Sequence, residues 1–355
     1  MEGGALERED ELRKFSDVSY KSFVKSESEI ITLFYDKFAD IPLLSRMDAV
    51  AETFIDEIET LLNRDLPEEE RIPLIEKFQK MYETMDFYVL YNRFLKKEGY
   101  QTLPRRPLEK RKLRYEDVYP VLYLKYRLSR QAERSNIKHL VIDEMQDYSR
   151  LQYLIIRRMF SCKMTILGDR AQTMADQQQD VLQFLPGIFG KDLRRIEMRK
   201  SYRNTVEIAS YAANLIGVTD LELFERHGMP VLERDVTDLE AALREAVDTL
   251  FPDEKTYETA AVIVPDEKTA ERAYLILREI LAEKDFDCEK RLSWLNRDSS
   301  SFKKGLTVTT FYLAKGLEFD QVFSIFPKDE KREMMMQAQY IAATRALHEL
   351  RVYHI

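Results

Sequence analysis

The sequence predicts an α/β fold with parallel sheets, preceded by a mostly helical segment. Two patterns carry this prediction. From about residue 136 onward, apolar runs of strand length alternate with longer segments of helical periodicity, which is typical of parallel sheets with helices on both faces. Before residue 136, apolar side chains recur at helical spacing in residues 30–38, 47–62 and 72–85.

The composition indicates a globular protein without an overall attraction to nucleic acid. The chain has 355 residues, of which 45% are hydrophobic and 33% are charged, and its net charge is -8. This length leaves room for two or three domains with their own cores. Because the net charge is negative, contact with a phosphate backbone would require a local basic patch.

The cysteines and the hydropathy pattern limit the cellular setting. Cys162 and Cys288 are far apart and have no CxxC spacing, which excludes a disulfide framework and a cysteine zinc site. No apolar run approaches the roughly 20 residues that a membrane-spanning helix needs, and the N-terminus is acidic rather than signal-like. We therefore expect a soluble, cytoplasmic protein with no membrane partner.

The expected elements follow from periodicity and from breaks at Gly and Pro. The expected strands are residues 139–142, 164–167, 194–198, 260–264, 306–311, 322–326 and 350–353. The expected helices of the same region are residues 151–160, 205–216, 238–250, 268–281 and 331–346. Upstream, prolines and a basic run at residues 105–114 interrupt the helical pattern. We interpret that run as a solvated surface, with contact to a phosphate backbone as the alternative.

The first strand of this series ends in a pair of carboxylates, Asp143 and Glu144. Ligands of open α/β sheets bind just outside the carboxyl ends of the strands. An Asp-Glu pair at that position can hold Mg²⁺ and can orient or deprotonate an attacking water. For the pair alone, an ordinary strand that runs into an acidic turn is the alternative.

Four further motifs follow along the chain, and each is weak when taken alone. In the first, residues 168–172, a glycine permits a sharp turn after a strand, and a glutamine can reach a phosphate or a water. In the second, an aromatic ring beside an arginine suits stacking on a base and charge stabilisation of a phosphoryl group. In the last, an arginine among small helix residues could act as an arginine finger. The four motifs are residues 168–172, 199–204, 310–320 and 340–346.

In this order, the five motifs resemble the motor core of superfamily 1 helicases of the UvrD/Rep type. Asp143-Glu144-Met145-Gln146 resembles their DExQ box, and Gly168-Asp169-Arg170-Ala171-Gln172 resembles their GDxxQ motif. Ser201-Tyr202-Arg203 is similar to their (N/S)YRS motif, and Ala314-Lys315-Gly316-Leu317-Glu318-Phe319 to their AKGLEF motif. Thr344-Arg345-Ala346 is similar to their final TRA motif, so that the resemblance extends over residues 136–355.

The resemblance implies RecA-like P-loop NTPase folds, one partial and one near-complete. It implies a helical insertion (a 1B-like arm) at residues 1–135, the C-terminal part of the first lobe (1A) at 136–200, and the second lobe (2A) at 201–355. It also implies ATP and Mg²⁺ as ligands. The implied cofactor-binding residues are Tyr202 on the adenine, Glu318 on the ribose, and Lys315 and Gly316 beside them.

The resemblance further implies catalytic roles at five positions. Asp143 would bind Mg²⁺, and Glu144 would activate the hydrolytic water. Gln172 would sense the γ-phosphate from the first lobe, while Arg203 and Arg345 would reach it from the second. Arginines placed across a cleft stabilise the transferring phosphoryl group only when the lobes close, so hydrolysis would be coupled to a domain motion.

One motif of the family is missing from the sequence. The chain contains no GxxxxGK(S/T), and the nearest run, residues 187–192, has the wrong spacing and no hydroxyl after its lysine. In the family this P-loop lies upstream of the DExQ box. We therefore expect the chain to begin inside the helical insertion, to lack the N-terminal P-loop portion of the same protein, and to turn over ATP poorly by itself.

Two departures from the family pattern leave the partner open. Tyr312 and Leu313 stand where UvrD-type motors usually have His and Ser, and residues 173–176 offer no aromatic ring for single-stranded DNA. The forms of residues 312–320 and 143–149 look more like the HelD-like branch, whose ATPases act on bacterial RNA polymerase. The open alternatives are a helicase or translocase on single-stranded DNA, a HelD-like remodeller of RNA polymerase, and a degenerate motor used as an interaction module. The retained site residues argue against the last.

Overall fold

The chain forms two compact units. The computed structural model describes residues 14–129, 136–169, 172, 181–218, 222–251, 257–284, 286–299, 304–328 and 333–355. Unit 1 takes its described residues from Met1–Asp143, Tyr148–Ile166 and Val181–Lys191. Unit 2 takes its described residues from Glu144–Asp147, Leu167–Asp180 and Asp192–Ile355. The domain boundaries at residues 135 and 200 stay a prediction.

The N-terminal part of unit 1 is mostly helical, as expected from the periodicity. Its helices are α1 (Glu27–Thr32), α2 (Arg46–Leu62), α3 (Glu68–Gln79), α4 (Phe87–Lys97) and α5 (Tyr115–Leu128). Helix α2 buries Met47, Val50, Phe54 and Ile58 along one face, which is the spacing that a helix needs to cover a core. An antiparallel hairpin, β1 (Val18–Tyr20) and β2 (Phe23–Lys25), precedes these helices and was not expected from the sequence.

The remaining part of unit 1 contains a short parallel strand pair. Strand β3 (His139–Ile142) pairs in parallel with β4 (Lys163–Ile166), and helices α6 (Arg150–Met159) and α7 (Val181–Phe189) accompany them. Ile142 is buried with Tyr153 and Leu185. Strand β3 is not covered on both faces, because Val141 is 60% exposed. In the described residues, β3 and β4 pair only with each other.

Unit 2 is built on a parallel sheet that contains six strands in the described residues. Its strands, in spatial order, are β7 (Leu232–Asp235), β12 (Ala346–His354), β11 (Phe319–Phe326), β8 (Thr259–Val264), β10 (Gly305–Thr310) and β9 (Leu292–Trp294). A separate parallel pair joins β5 (Lys200–Ser201) to β6 (Glu222–Leu223). The helices of this unit are α8 (Val206–Ile216), α9 (Leu239–Asp248), α10 (Glu267–Ala282), α11 (Cys288–Arg291) and α12 (Glu333–Ala343).

Helices cover both faces of the six-stranded sheet. Val262 and Val264 of β8 pack on the face that α9 and α10 cover. Their neighbours Ala261 and Ile263 pack on the opposite face, with α8 and α12. Successive strand residues point to opposite faces, so a strand that is buried on both sides must be apolar throughout. The expected α/β fold is therefore confirmed, and the sheet with its two helical layers is consistent with a RecA-like fold.

Three local expectations were wrong. Residues 194–198 form no strand, and Ile196 and Met198 are 74% and 90% exposed; among the described residues, no strand pairs with this segment. Leu292–Trp294, which has the polarity of a loop, is instead an edge strand paired with β10. Strand β7, Leu232–Asp235, was also not among the expected strands. In the described parts of the chain, no helix has the length and apolar character that a bilayer crossing requires.

Candidate functional site

The carboxylate Glu144 lies in a constrained turn of unit 2. Its φ of 51° lies in the left-handed region, which costs free energy for any residue with a side chain. The 3-10 turn Met145–Asp147 follows, and the Met145 N–H donates to the Leu167 carbonyl at 2.8 Å. The Gln146 side-chain amide donates to the Glu144 carboxylate at 2.5 Å. The Gln146 side chain therefore fixes the position of the Glu144 carboxylate within this turn. Asp143 belongs to unit 1.

Gly168 allows this turn to lie against the GDxxQ segment. A Cβ atom on Gly168 would lie 2.5 Å from the Gln146 side-chain oxygen and 2.6 Å from the Met145 backbone nitrogen. That same Gln146 oxygen accepts a hydrogen bond from the Asp169 N–H at 3.1 Å. A glycine is thus required here for close approach of two backbones rather than for a positive φ.

We expect Gly168→Ala to separate these two segments. The added carbon cannot fit beside a backbone nitrogen, so we expect an unfolding free energy lower by about 1–3 kcal/mol, the usual cost of overpacking. Gly187→Ala is a suitable control, because nothing lies within 4 Å of its Cβ position and α7 should gain about 0.5–1 kcal/mol. Urea unfolding followed by circular dichroism measures both changes. Equal effects of the two substitutions would contradict the steric argument.

A chain of hydrogen bonds joins the GDxxQ segment to helix α12. Buried Gln172 donates from its amide nitrogen to the Asp169 carboxylate at 3.0 Å. The Tyr340 hydroxyl donates to the same Asp169 oxygen at 3.1 Å. Burial, and then Asp169, raise the pKa of Tyr340 above its usual range, so the hydroxyl keeps its proton at neutral pH. Asp169 is thus held by two donors, one from each segment.

Arg345 ends this chain of hydrogen bonds and is almost fully buried. It is 1% exposed, and its Nη2 donates to the Gln172 side-chain oxygen at 3.3 Å. Its Nε and Nη1 donate to the carbonyls of Ile341 at 3.2 Å and Leu317 at 3.4 Å. Among the described residues, no carboxylate lies within 4.0 Å of the guanidinium. Burial, and then the nearby charge of Arg203, lower the pKa of Arg345, while Glu144 and Glu318 oppose this effect.

Two ion pairs of the candidate site lie in unit 2. Arg203 contacts Glu318 at 2.6 Å, and both side chains are nearly half exposed. Lys315, whose side chain is 10% exposed, contacts Asp147 at 2.6 Å. Gly316 follows with a φ of 76°, which suits a glycine in the turn between β10 and β11. The predicted ribose ligand Glu318 is therefore engaged by a predicted phosphate ligand.

Tyr202 presents an aromatic surface beside these charges. Its ring is 60% exposed and lies 5.5 Å from the Phe224 ring at an angle of 37°. The Lys200 ammonium lies 5.6 Å from the Tyr202 ring centroid. An exposed ring backed by a second ring and flanked by a cation can stack on a planar ligand.

The structure thus brings most of the predicted site residues into unit 2. Glu144, Arg203 and Glu318 all lie close enough to Arg345 to affect its pKa, and Gln172 contacts it directly. The sequence analysis assigned no role to Asp147, Tyr340 or Phe224. Arg170, Ala171 and residues 173–176 lie outside the described residues.

A family model matches the first part of the chain. Residues 7–174 match the UvrD/REP helicase N-terminal domain. This span is just under half of the chain, and it supports a UvrD-like superfamily 1 helicase-type motor. The match includes the DExQ and GDxxQ segments, and the other three motifs lie outside it. The HelD-like branch, the missing P-loop portion and the roles of single residues stay predictions.

Solved structures of helicases are similar to parts of this chain. The C-terminal domain of a possible DNA helicase from Lactobacillus plantarum WCFS1 has 24% identity and a TM-score of 0.34, and the match covers 44% of this chain and 88% of that one. The PRRSV helicase has 16% identity and a TM-score of 0.35, with 61% and 35% covered. An arterivirus nonstructural protein 10 (helicase) has 14% identity and a TM-score of 0.34, with 75% and 50% covered. A comparison with curated proteins gives no match.

Proposed function

We propose that this chain is part of an ATP-driven, UvrD-like motor that moves on single-stranded DNA. The observation that carries this proposal is the buried guanidinium of Arg345, which hydrogen-bonds neutral groups and has no carboxylate partner among the described residues. An unpaired buried cation is costly unless an anion neutralises it. The triphosphate of ATP is such an anion, and guanidinium groups bind phosphate oxygens well.

The neighbouring residues have the chemistry that ATP requires. In this proposal Arg203 and Arg345 bind the terminal phosphate, and Glu318 exchanges its contact with Arg203 for the ribose hydroxyls. Tyr202, backed by Phe224 at 5.5 Å, stacks on the adenine. Glu144 orients the attacking water through a carboxylate that Gln146 already holds.

Asp143 fits the role of a magnesium ligand. Mg²⁺ is usually bound by one or two carboxylates together with substrate phosphates, not by a complete protein cage. When bound, Mg²⁺ would neutralise the charge that develops on the phosphates.

The hydrogen bonds provide a route from the phosphate to the acidic turn. A change of charge at Arg345 alters its bond to Gln172, which shares the Asp169 carboxylate with Tyr340. The Asp169 N–H in turn donates to Gln146, the residue that holds Glu144. We propose that this route links the presence of the γ-phosphate to the position of the catalytic carboxylate and to closure of the motor lobes.

Binding of MgATP to the full chain tests the proposed function. We expect an affinity on the order of 1 mM, and slower hydrogen exchange in residues 201–203, 315–318 and 344–346 than without nucleotide. AMP, which lacks the terminal phosphates, should protect residues 344–346 much less. A fluorescent oligothymidine should bind with an affinity that falls with salt. The proposal fails if neither nucleotide changes exchange in these segments. Because the sequence has no GxxxxGK(S/T), we expect poor ATP turnover by this chain alone.

A HelD-like function is the alternative, and Tyr312 and Leu313 favour it because they replace the usual His and Ser. In this case purified bacterial RNA polymerase should bind the chain, and single-stranded DNA should not compete. A non-catalytic interaction module would bind polymerase and show no nucleotide-dependent protection of residues 344–346. The three alternatives therefore give different results in the same two assays.

A further inference from the structure

Arg226 lies outside every motif of the sequence and connects the loops of both candidate phosphate arginines. Its Nη1 donates to the Arg203 carbonyl at 3.0 Å, and its Nη2 donates to the Leu347 carbonyl at 3.0 Å. Leu347 follows Arg345 by two residues. The Arg226 carbonyl also accepts a hydrogen bond from the Val206 N–H at 2.8 Å. One side chain thus joins the backbone of the Arg203 loop to the start of β12.

Asn204 makes a second connection between the same loops. It is 7% exposed, and its amide nitrogen donates to the carbonyls of Thr344 at 3.3 Å and Ala346 at 2.6 Å. These two carbonyls flank Arg345. Arg226 thus hydrogen-bonds the carbonyl of Arg203, and Asn204, the next residue, hydrogen-bonds the backbone on either side of Arg345. The separation of Arg203 and Arg345 therefore depends on both side chains.

His348 accepts a third hydrogen bond from Arg226. The Arg226 Nη2 lies 2.7 Å from Nδ1 of His348. A guanidinium can only donate, so Nδ1 must be unprotonated and the neutral ring carries its proton on Nε2. Nε2 lies 3.6 Å from the Asp320 carboxylate, and the Tyr257 ring stacks on the imidazole at 5.6 Å. Burial, and then Arg226, lower the pKa of His348, and Asp320 opposes them.

We propose that Arg226 is a positioning residue, which holds Arg203 at the separation from Arg345 that a triphosphate needs, with neutral His348 as the acceptor that keeps Arg226 in place. This inference rests on the proposed nucleotide site. Protonation of His348 would place a second N–H and a second positive charge against Arg226. Arg226 would then keep two of its three side-chain hydrogen bonds, those to the carbonyls of Arg203 and Leu347. The Arg203 loop would be held less firmly.

The expected pH dependence follows from this contact. Because the folded protein favours neutral His348, the contact is complete above the ordinary histidine pKa of about 6.5, and it is lost as the pH falls through the lower pKa of the folded protein. The charged or titratable groups that face the ring are Arg226, Asp320 and Tyr257. Of these, Asp320 also accepts hydrogen bonds from the Thr259 N–H and hydroxyl.

Fluorescent ATP and ADP analogues test the proposal in the full chain with Mg²⁺. Arg226→Ala should weaken ATP binding about tenfold at pH 8 and ADP binding much less, because the arginines contact the terminal phosphate. Arg226→Lys should recover part of this loss. His348→Gln keeps an acceptor for Arg226 and cannot titrate, so its ATP affinity should fall less than that of the native protein between pH 8 and pH 5.5. Arg234→Ala is the control, because Arg234 is exposed and pairs with Glu245.

Hydrogen exchange separates a failure of this inference from a failure of the proposed function. Without nucleotide, Arg226→Ala should speed exchange in residues 201–205 and 344–348 at pH 8, and the native protein should show the same change at pH 5.5 after correction for intrinsic rates. If the native chain binds no nucleotide, the proposed function fails and the exchange result still tests the connection. Unchanged exchange, or equal losses of ATP and ADP affinity in Arg226→Ala, would overturn the positioning role.

Discussion

Gly305→Ala is expected to cause the largest loss of stability. Gly305 starts β10 with a φ of 116°, a backbone conformation that L side chains rarely adopt. A Cβ atom there would lie 2.8 Å from the Cα and carbonyl carbon of Arg291, and closer still to its carbonyl oxygen. We expect a loss of about 2–6 kcal/mol, from about 1–3 for the φ and about 1–3 for the overlap. Since a whole domain is stable by only about 5–15 kcal/mol, unit 2 could unfold at room temperature.

Gly217→Ala is the matched control for this substitution. Gly217 also has a positive φ, 67°, but nothing lies within 4 Å of its Cβ position. The unfolding free energy of Gly217→Ala should therefore fall by only about 1–2 kcal/mol, the cost of the left-handed conformation. Urea unfolding followed by the fluorescence of Trp294, the single tryptophan, measures unit 2, because Trp294 lies on β9 beside β10. If both variants lose the same stability, the overlap with Arg291 has no energetic weight.

Arg345→Ala is expected to have the largest effect at the candidate site. The substitution removes the donors to Ile341, Leu317 and Gln172, and it leaves a cavity because Arg345 is 1% exposed. The lost bonds and the cavity together should lower the unfolding free energy by about 2–4 kcal/mol, after allowance for removing a buried charge. MgATP should then no longer slow hydrogen exchange in residues 201–203 and 315–318.

Arg345→Lys separates charge from geometry. A lysine keeps the positive charge but cannot donate to three acceptors in different directions as the planar guanidinium does. We expect it to recover less than half of the lost stability and little of the ATP protection. Urea unfolding and exchange with MgATP measure the two effects in the same protein. If Arg345→Lys binds ATP as well as the native chain, a point charge is sufficient and the proposed geometry is wrong.

The helical and strand segments were predictable where burial leaves a periodic signal. Strand β8 is apolar from Ala260 to Val264 because both faces of the sheet are covered, and a continuous apolar run shows this directly. Helices α8, α9 and α10 begin after Thr205, Asp238 and Asp266, whose side chains accept from backbone N–H groups, as N-caps do. The two edge strands β7 and β9 were missed, because an edge strand carries polar residues on its open side.

The candidate site was predictable as a set of residues and not as an arrangement. The motifs indicated Gln172, Arg203, Glu318 and Arg345 together, and the structure places them in one unit. Their pairing was not foreseen: Arg203 contacts Glu318, and Gln172 contacts Arg345. Both contacts join residues more than one hundred positions apart. Such contacts depend on how distant segments pack in the folded protein, and a short-range sequence pattern carries no information about that packing.

The amino-acid order alone determined the helices and the four inner strands of the main sheet, β8, β10, β11 and β12. Those properties arise from local periodicity, capping and turn residues, which act over a few positions. Only the tertiary structure decided that Arg345 is buried against Gln172 and that Arg226 joins the Arg203 loop to β12. These contacts join residues from distant parts of the chain, so long-range packing, and not local sequence, sets them.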